Sequence, residues 1–181
     1  MGKYFTKISS YKTNYFIGIA PPTYIKEQIP SNRSKGDLHV TLSYLGGRRT
    51  KDEKLIAKEI AKTLKQVKNF ELSGPFIASF KGKYPHIGIE KNTRLMKLID
   101  LLSENPVLKS QLNKKYSPHI TLGKQDITNS FLQNSRYSFP VEEVTLFKVQ
   151  PRGKKVYTSV QSFPLNRRNW IDKVIDYFQY T

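Results

Sequence analysis

Two short segments, eighty positions apart, repeat one frame: Leu38-His39-Val40-Thr41-Leu42 and Pro118-His119-Ile120-Thr121-Leu122. Each reads His, β-branched residue, Thr, Leu, an alternating pattern that suits a strand. In an extended strand, residues two apart point the same way. His39 and Thr41 therefore share one face of their strand, as His119 and Thr121 do of theirs. The fold must accommodate two equivalent polar strands in a chain that has only three histidines. If those faces meet, the cavity between them holds two imidazoles and two hydroxyls. That set suits metal-free phosphodiester chemistry, with one histidine taking a proton and the other giving one. The hydroxyls would hold phosphate oxygens.

The order of elements around the two frames also repeats. Residues 15–20 (YFIGIA) read as a buried strand stopped by Pro21-Pro22, followed by a polar loop through Ser34-Lys35-Gly36. Residues 38–45 form the first motif strand, which Gly46-Gly47 is expected to end. Thr50 and Glu53 have capping-box spacing and open a helix carrying Ile56, Ile60, Leu64 and Val67. Residues 70–80 read as strand with a break at Gly74-Pro75. Residues 84–90 form a short strand. Asn92 is placed to cap a helix carrying Leu95, Met96, Ile99 and Leu102, which stops before Pro106. Residues 117–123 form the second motif strand, and residues 126–132 one or two helical turns. Residues 141–150 and 155–163 form a closing pair of strands around the turn Pro151-Arg152-Gly153-Lys154. No linker separates the halves. The predicted fold class is therefore α+β: one pseudo-duplicated, bilobal domain over residues 1–165. Two antiparallel sheets face a central cleft, with helices packed outside. In residues 166–181, Trp170, Ile171, Val174, Ile175 and Phe178 fall on one helical face, so an amphipathic helix packed on that body is expected.

With 181 residues, the chain is long enough to bury a core. It has no cysteine, which excludes disulfides, thiolate metal sites and a cysteine nucleophile. Lys and Arg number 31 against 14 Asp and Glu, a net charge of +17 that favours polyanionic partners. No apolar run has the length of a membrane span, so no membrane partner and a cytoplasmic location are expected. The third histidine, His86, sits in Pro85-His86-Ile87-Gly88, where glycine replaces the hydroxyl residue two along. His86 reads as an ordinary strand residue, with a place along the cleft left open. A three-histidine metal site lacks an obvious carboxylate partner, so no metal and no cofactor are expected.

The paired His-x-Thr strands resemble those of the 2H phosphoesterase superfamily. This superfamily is named for two His-x-Thr/Ser motifs and includes bacterial 2′-5′ RNA ligase-like proteins, cyclic phosphodiesterases and viral 2′-5′ phosphodiesterases. The resemblance covers roughly residues 14 to 163. It includes the early strand YFIGIA, the aromatic-Leu-Gly ending Tyr44-Leu45-Gly46, the second motif Ser117-Pro118-His119-Ile120-Thr121-Leu122-Gly123 and the late strand VEEVTLFKV. It implies a bilobal 2H fold, with His39 and His119 as an acid-base pair and Thr41 and Thr121 as phosphate binders. It also implies a 2′-linked or cyclic nucleotide phosphodiester as substrate. Candidate substrate contacts are Tyr44 and Lys124 beside the motifs, Arg48 and Arg49 after the glycine turn, and the basic hairpin of Lys148, Arg152, Lys154 and Lys155. Tyr84 could stack a base, as could Tyr15, for which core packing is the better reading. Stand-alone viral members resemble this chain in size and act on host immune signals such as 2′-5′ oligoadenylate or cGAMP. A monomer doing the same, in host cytoplasm if viral, is the first expectation. RNA-end processing and non-catalytic nucleic-acid binding are the alternatives.

Overall fold

The computed structural model describes residues 12–29, 31, 38–74, 76–80, 84–110, 117–123, 137–150 and 156–167. The strands are β1 (Lys12–Ile19), β2 (Val40–Arg49), β3 (Phe70–Gly74), β4 (Phe76–Phe80), β5 (Tyr84–Gly88), β6 (His119–Thr121), β7 (Tyr137–Val141), β8 (Glu143–Gln150) and β9 (Val156–Pro164). The helices are α1 (Thr23–Gln28), α2 (Glu53–Leu64) and α3 (Thr93–Glu104). Seven strands form one antiparallel sheet in the order β4-β5-β6-β2-β1-β8-β9, and β3 and β7 form a separate antiparallel ribbon. The expected α+β class and antiparallel sheets are present. The two motif strands, β2 and β6, are direct neighbours.

The sheet has two dissimilar faces. Ile17, Val40, Ile87 and Ile120 lie on one face and are fully buried in the main core. This face meets the apolar stripes of α2 (Ile56, Ile60, Leu64) and α3 (Leu95, Leu98, Leu102). Both stripes follow the three-to-four residue period of an amphipathic helix. Burying each such side chain contributes about 1.5–3 kcal/mol. Asn92 caps α3 as its position predicts, its Oδ1 accepting the Leu95 N–H at 2.8 Å. Phe16 and Phe147 are also buried, but they stand on the opposite face, outside the main core.

Several local expectations are corrected. Gly46-Gly47 do not end the first motif strand, which continues to Arg49 in register with Lys12. Gly46 adopts φ 68°, and the register shifts between Tyr15 and Phe16, so the glycine supports a bulge rather than a stop. The capping box does not pair Thr50 with Glu53. Residues 50–52 form a single 3₁₀ turn, and Asp52 Oδ2 accepts from the Arg49 backbone N–H at 3.3 Å. Glu53 instead accepts the Tyr15 hydroxyl at 2.9 Å. Residues 23–28, expected to lie in a polar loop, form helix α1, anchored by the buried Ile25. One turn with one apolar residue is too short to reveal a period. The expected break in residues 70–80 is present: β3 ends at Gly74 in the ribbon, and β4 starts at Phe76 in the main sheet. The expected helices at 126–132 and 166–181 and the turn at 151–154 fall wholly or mainly outside the described residues. Among those described, no helix is long and apolar enough to cross a membrane.

Candidate active site

The pairing of β2 with β6 positions the two motifs. Val40 stands opposite Ile120, and both point into the core. One residue to either side, the antiparallel register sets Thr41 opposite His119 and His39 opposite Thr121. All four are half-buried on the face away from the helices. The two histidines occupy diagonal positions, which on neighbouring strands lie about 7–8 Å apart. That separation leaves room for a phosphate between the two imidazoles. The structure thus brings His39, Thr41, His119 and Thr121 together.

The surroundings of the two imidazoles differ. The His119 Nδ1 lies 2.8 Å from the Ser117 carbonyl oxygen. A carbonyl only accepts, so Nδ1 carries the hydrogen, and in the neutral ring Nε2 keeps its lone pair. Burial pushes the His119 proton affinity below its ordinary value; the bond to Ser117 opposes this, and nearby His86 adds to the lowering. The ring of His39 lies among aromatic rings: Phe16 at 4.5 Å between centroids, Tyr157 at 4.9 Å and Phe147 at 5.6 Å. Phe16 and Phe147 stack at 4.8 Å. Gly18 leaves space beneath them. A Cβ there would stand 3.5 Å from a ring carbon of each and 2.8 Å from the Val40 carbonyl oxygen. β9 lies three places from β2, so the contact of Tyr157 with His39 requires the sheet to curl over this face.

His86, which reads in the sequence as an ordinary strand residue with a place along the cleft left open, stands on the motif face. It is 7% exposed, pairs in register with Thr121, and its ring centre lies 5.3 Å from that of His119, edge to face. Phe16, Phe147 and Tyr157 were also not recognised as neighbours of the motif. Ordinary strand propensity explains each of them in the sequence. Their shared face depends on register, which the sequence does not display.

The expected substrate contacts separate. Tyr44 lies on the motif face. It is three residues beyond Thr41, which in a regular strand would reverse its side. An extra residue in β2 between the Gly18–Thr41 and Ile17–Ser43 pairs restores it, and Tyr44 pairs with Phe16. Arg48 is on the other face, in register with Thr13, and its Nε donates to the Leu45 carbonyl at 3.1 Å. It stabilises the bulged end of β2 and does not approach the motifs. Arg49 pairs with Asp52 at 3.3 Å. Lys148 pairs with Tyr15 in register and shares its face, opposite to that of Phe147. Tyr15 is buried, as its core reading predicts, and its bond to Glu53 adds to burial in raising its pKa to about 12. Tyr84 opens β5 two positions before His86. Lys124, Arg152, Lys154 and Lys155 lie outside the described residues. Among those described, no three His, Asp or Glu side chains are grouped as a metal ion would require.

The chain is similar to known proteins in family and in fold. The family model of the 2′-5′ RNA ligase superfamily matches residues 20–151. Among solved structures, E. coli LigT in apo form is similar over 87% of this chain and 99% of its own, at 24% identity and a TM-score of 0.71. E. coli LigT complexed with 3′-AMP is similar over 85% and 98%, at 24% identity and a TM-score of 0.70. A protein described as a phosphoesterase is similar over 86% and 99%, at 23% identity and a TM-score of 0.71. These likenesses are likenesses of fold. No curated protein matches the chain by sequence.

Proposed function

The chain belongs to the 2′-5′ RNA ligase superfamily, within the 2H phosphoesterases, and from that premise we propose that it is a metal-independent phosphodiesterase of 2′-linked or cyclic nucleotides, using His39 and His119 as its acid-base pair. The observation that carries this reading is the Val40–Ile120 pair, around which both His-x-Thr motifs share one open face.

His119 is the base. Its fixed Nδ1–H leaves Nε2 to accept a proton, and its buried setting favours the neutral ring. His39 is the acid, because the aromatic faces around it attract a cationic ring more than a neutral one. On a 2′-5′ bond, His119 takes the proton of the adjacent ribose 3′-hydroxyl. That oxygen attacks phosphorus, the bond to the 5′-oxygen breaks, and His39 protonates the leaving oxygen. The products are a 2′,3′-cyclic phosphate and a free 5′-hydroxyl. On a pre-existing 2′,3′-cyclic phosphate, His119 takes a proton from water, the water oxygen attacks phosphorus, one ring P–O bond breaks, and His39 protonates the ribose oxygen released. Thr41 and Thr121 donate to the phosphoryl oxygens as charge develops there.

The substrate in this reading is a small nucleotide signal such as 2′-5′ oligoadenylate or cGAMP. Two observations support a compact ligand: the aromatic rings beside His39, suited to stacking a base, and the 3′-AMP held by E. coli LigT. RNA-end processing is the second reading, favoured by the net charge of +17, which suits a longer polyanion. A panel in EDTA separates them: 2′-5′ oligoadenylate, 2′,3′- and 3′,3′-cGAMP, RNA ending in a 2′,3′-cyclic phosphate, and ordinary 3′-5′ RNA. Rapid loss of a small signal supports the first reading, and opening or joining of RNA ends alone supports the second. Binding without turnover on every member contradicts both.

A further inference from the structure

The two halves of the site carry different residues at matching places. On the β1 side, the residue opposite the motif threonine Thr41 is Gly18. On the β5 side, the residue opposite Thr121 is His86. One half therefore has a glycine, with the Phe16 and Phe147 rings close over it, where the other has an imidazole. That imidazole is more than nine-tenths buried and stands edge to face with His119, 5.3 Å between ring centres. A buried polar ring on the reactive face, adjoining one member of the proposed acid-base pair, calls for an account beyond strand propensity.

We propose that His86 is a positioning residue for the reaction, holding the His86–His119 pair to a single proton so that His119 enters catalysis as the base. The proposal rests on the two-histidine reading above. Two imidazolium rings in contact within a partly dehydrated site repel, so the doubly protonated pair is disfavoured and the protons are taken up in two coupled steps. The lowering of the His119 proton affinity by His86 has this sign. Among the described residues, the other titratable groups on the same face lie on more distant positions of the sheet. His39 is diagonal to His119 across β2, Tyr44 lies further along β2, and Tyr157 lies beyond His39. Glu143 is at the start of β8, which β1 and β2 separate from β6, and its Oε1 accepts from Ser162.

The test compares the wild-type protein with His86→Gln. The acidic limb of the kcat/KM profile moves to higher pH in the variant, while the plateau above neutrality changes far less than the roughly 10²-fold that loss of a proton-transfer group costs. The repulsion needs charge on both rings, so the effect is confined to the acidic limb. An acidic limb that stays in place overturns the role assigned to His86. Proton NMR of the imidazole Cε1–H signals reads the same coupling without turnover and without a variant. In the wild-type protein, His86 and His119 each show an inflection at the other's titration, and His39 does not. Independent single-site curves for His86 and His119 also overturn the proposal. His119→Ala retaining full turnover removes the two-histidine reading itself, an outcome distinct from either of these.

Discussion

The two halves of the site are built from the same motif and differ in what surrounds it. Around His39 the neighbours are apolar rings, with Gly18 leaving the space in which Phe16 and Phe147 lie. Around His119 they are a carbonyl oxygen and a second imidazole. The backbone supplies near two-fold equivalence, and the flanking strands remove it: β1 contributes a glycine and aromatics, β5 a histidine. Acid-base catalysis by two histidines needs this asymmetry, because one ring must begin neutral and the other protonated. The repeated motif alone would give two interchangeable rings.

Variants of the motif histidines break the comparison most strongly. His39→Ala and His119→Ala each lower kcat/KM on a 2′-linked substrate by roughly 10²- to 10⁴-fold. Circular dichroism and the melting temperature should show both variants folded. The remaining asymmetry appears in the pH profile. With the His119 proton affinity below its ordinary value, chiefly through burial, the neutral ring persists to lower pH. The acidic limb of the wild-type kcat/KM profile therefore lies below 6.5, the ordinary histidine pKa. An acidic limb above that value would reverse the assignment of the two halves.

Thr41→Val and Thr121→Val remove one hydroxyl from each half and lower kcat by roughly 10²-fold. Comparable losses would mean that the two hydroxyls share the phosphoryl charge, and a loss confined to one would place that charge in a single half. Gly18→Ala sharpens the comparison from the His39 side alone. Its Cβ would press on the Val40 carbonyl oxygen at 2.8 Å, which cannot retreat without parting β1 from β2. A cost of about 1–3 kcal/mol is expected in urea denaturation, together with an altered His39 titration and an unaltered His119 titration. The smallest effect belongs to Tyr15→Phe on the covered face, about 0.5–1.5 kcal/mol from the lost bond to Glu53, with turnover unchanged. The raised tyrosine pKa fixes the sign of its pH dependence. The contribution is complete below pH 10 and fades as the pH climbs from 10.0 towards about 12.

The sequence displays what local chemistry determines. The strand character of both motifs, the stripes of α2 and α3, the Asn92 cap and the break at Gly74-Pro75 all follow from spacing and side-chain type. Register across strands is not local. YFIGIA in β1 and PHIGIE around β5 share Ile-Gly-Ile, yet Gly18 pairs with Thr41 whereas Gly88 pairs with His119, the other member of its motif. That two-residue offset leaves both glycines on the motif face and brings His86 opposite Thr121. The bulges in β2 act likewise: the first returns Tyr44 to the motif face, and the second cancels the first, so that Arg48 stands on the covered face as it would in a regular strand. Arg48 has the charge expected of a phosphate contact, but its guanidinium is engaged by backbone carbonyls that the sequence could not place beside it.

The most direct test of a divided acid-base pair is a substrate whose leaving group needs no proton. On a nucleoside 2′-(4-nitrophenyl phosphate) in EDTA, His39→Ala should turn over at nearly the wild-type rate, because nitrophenolate departs unprotonated, while His119→Ala should remain slow by roughly 10²-fold or more. Equal impairment of both variants, or rescue of His119→Ala in place of His39→Ala, would contradict the account.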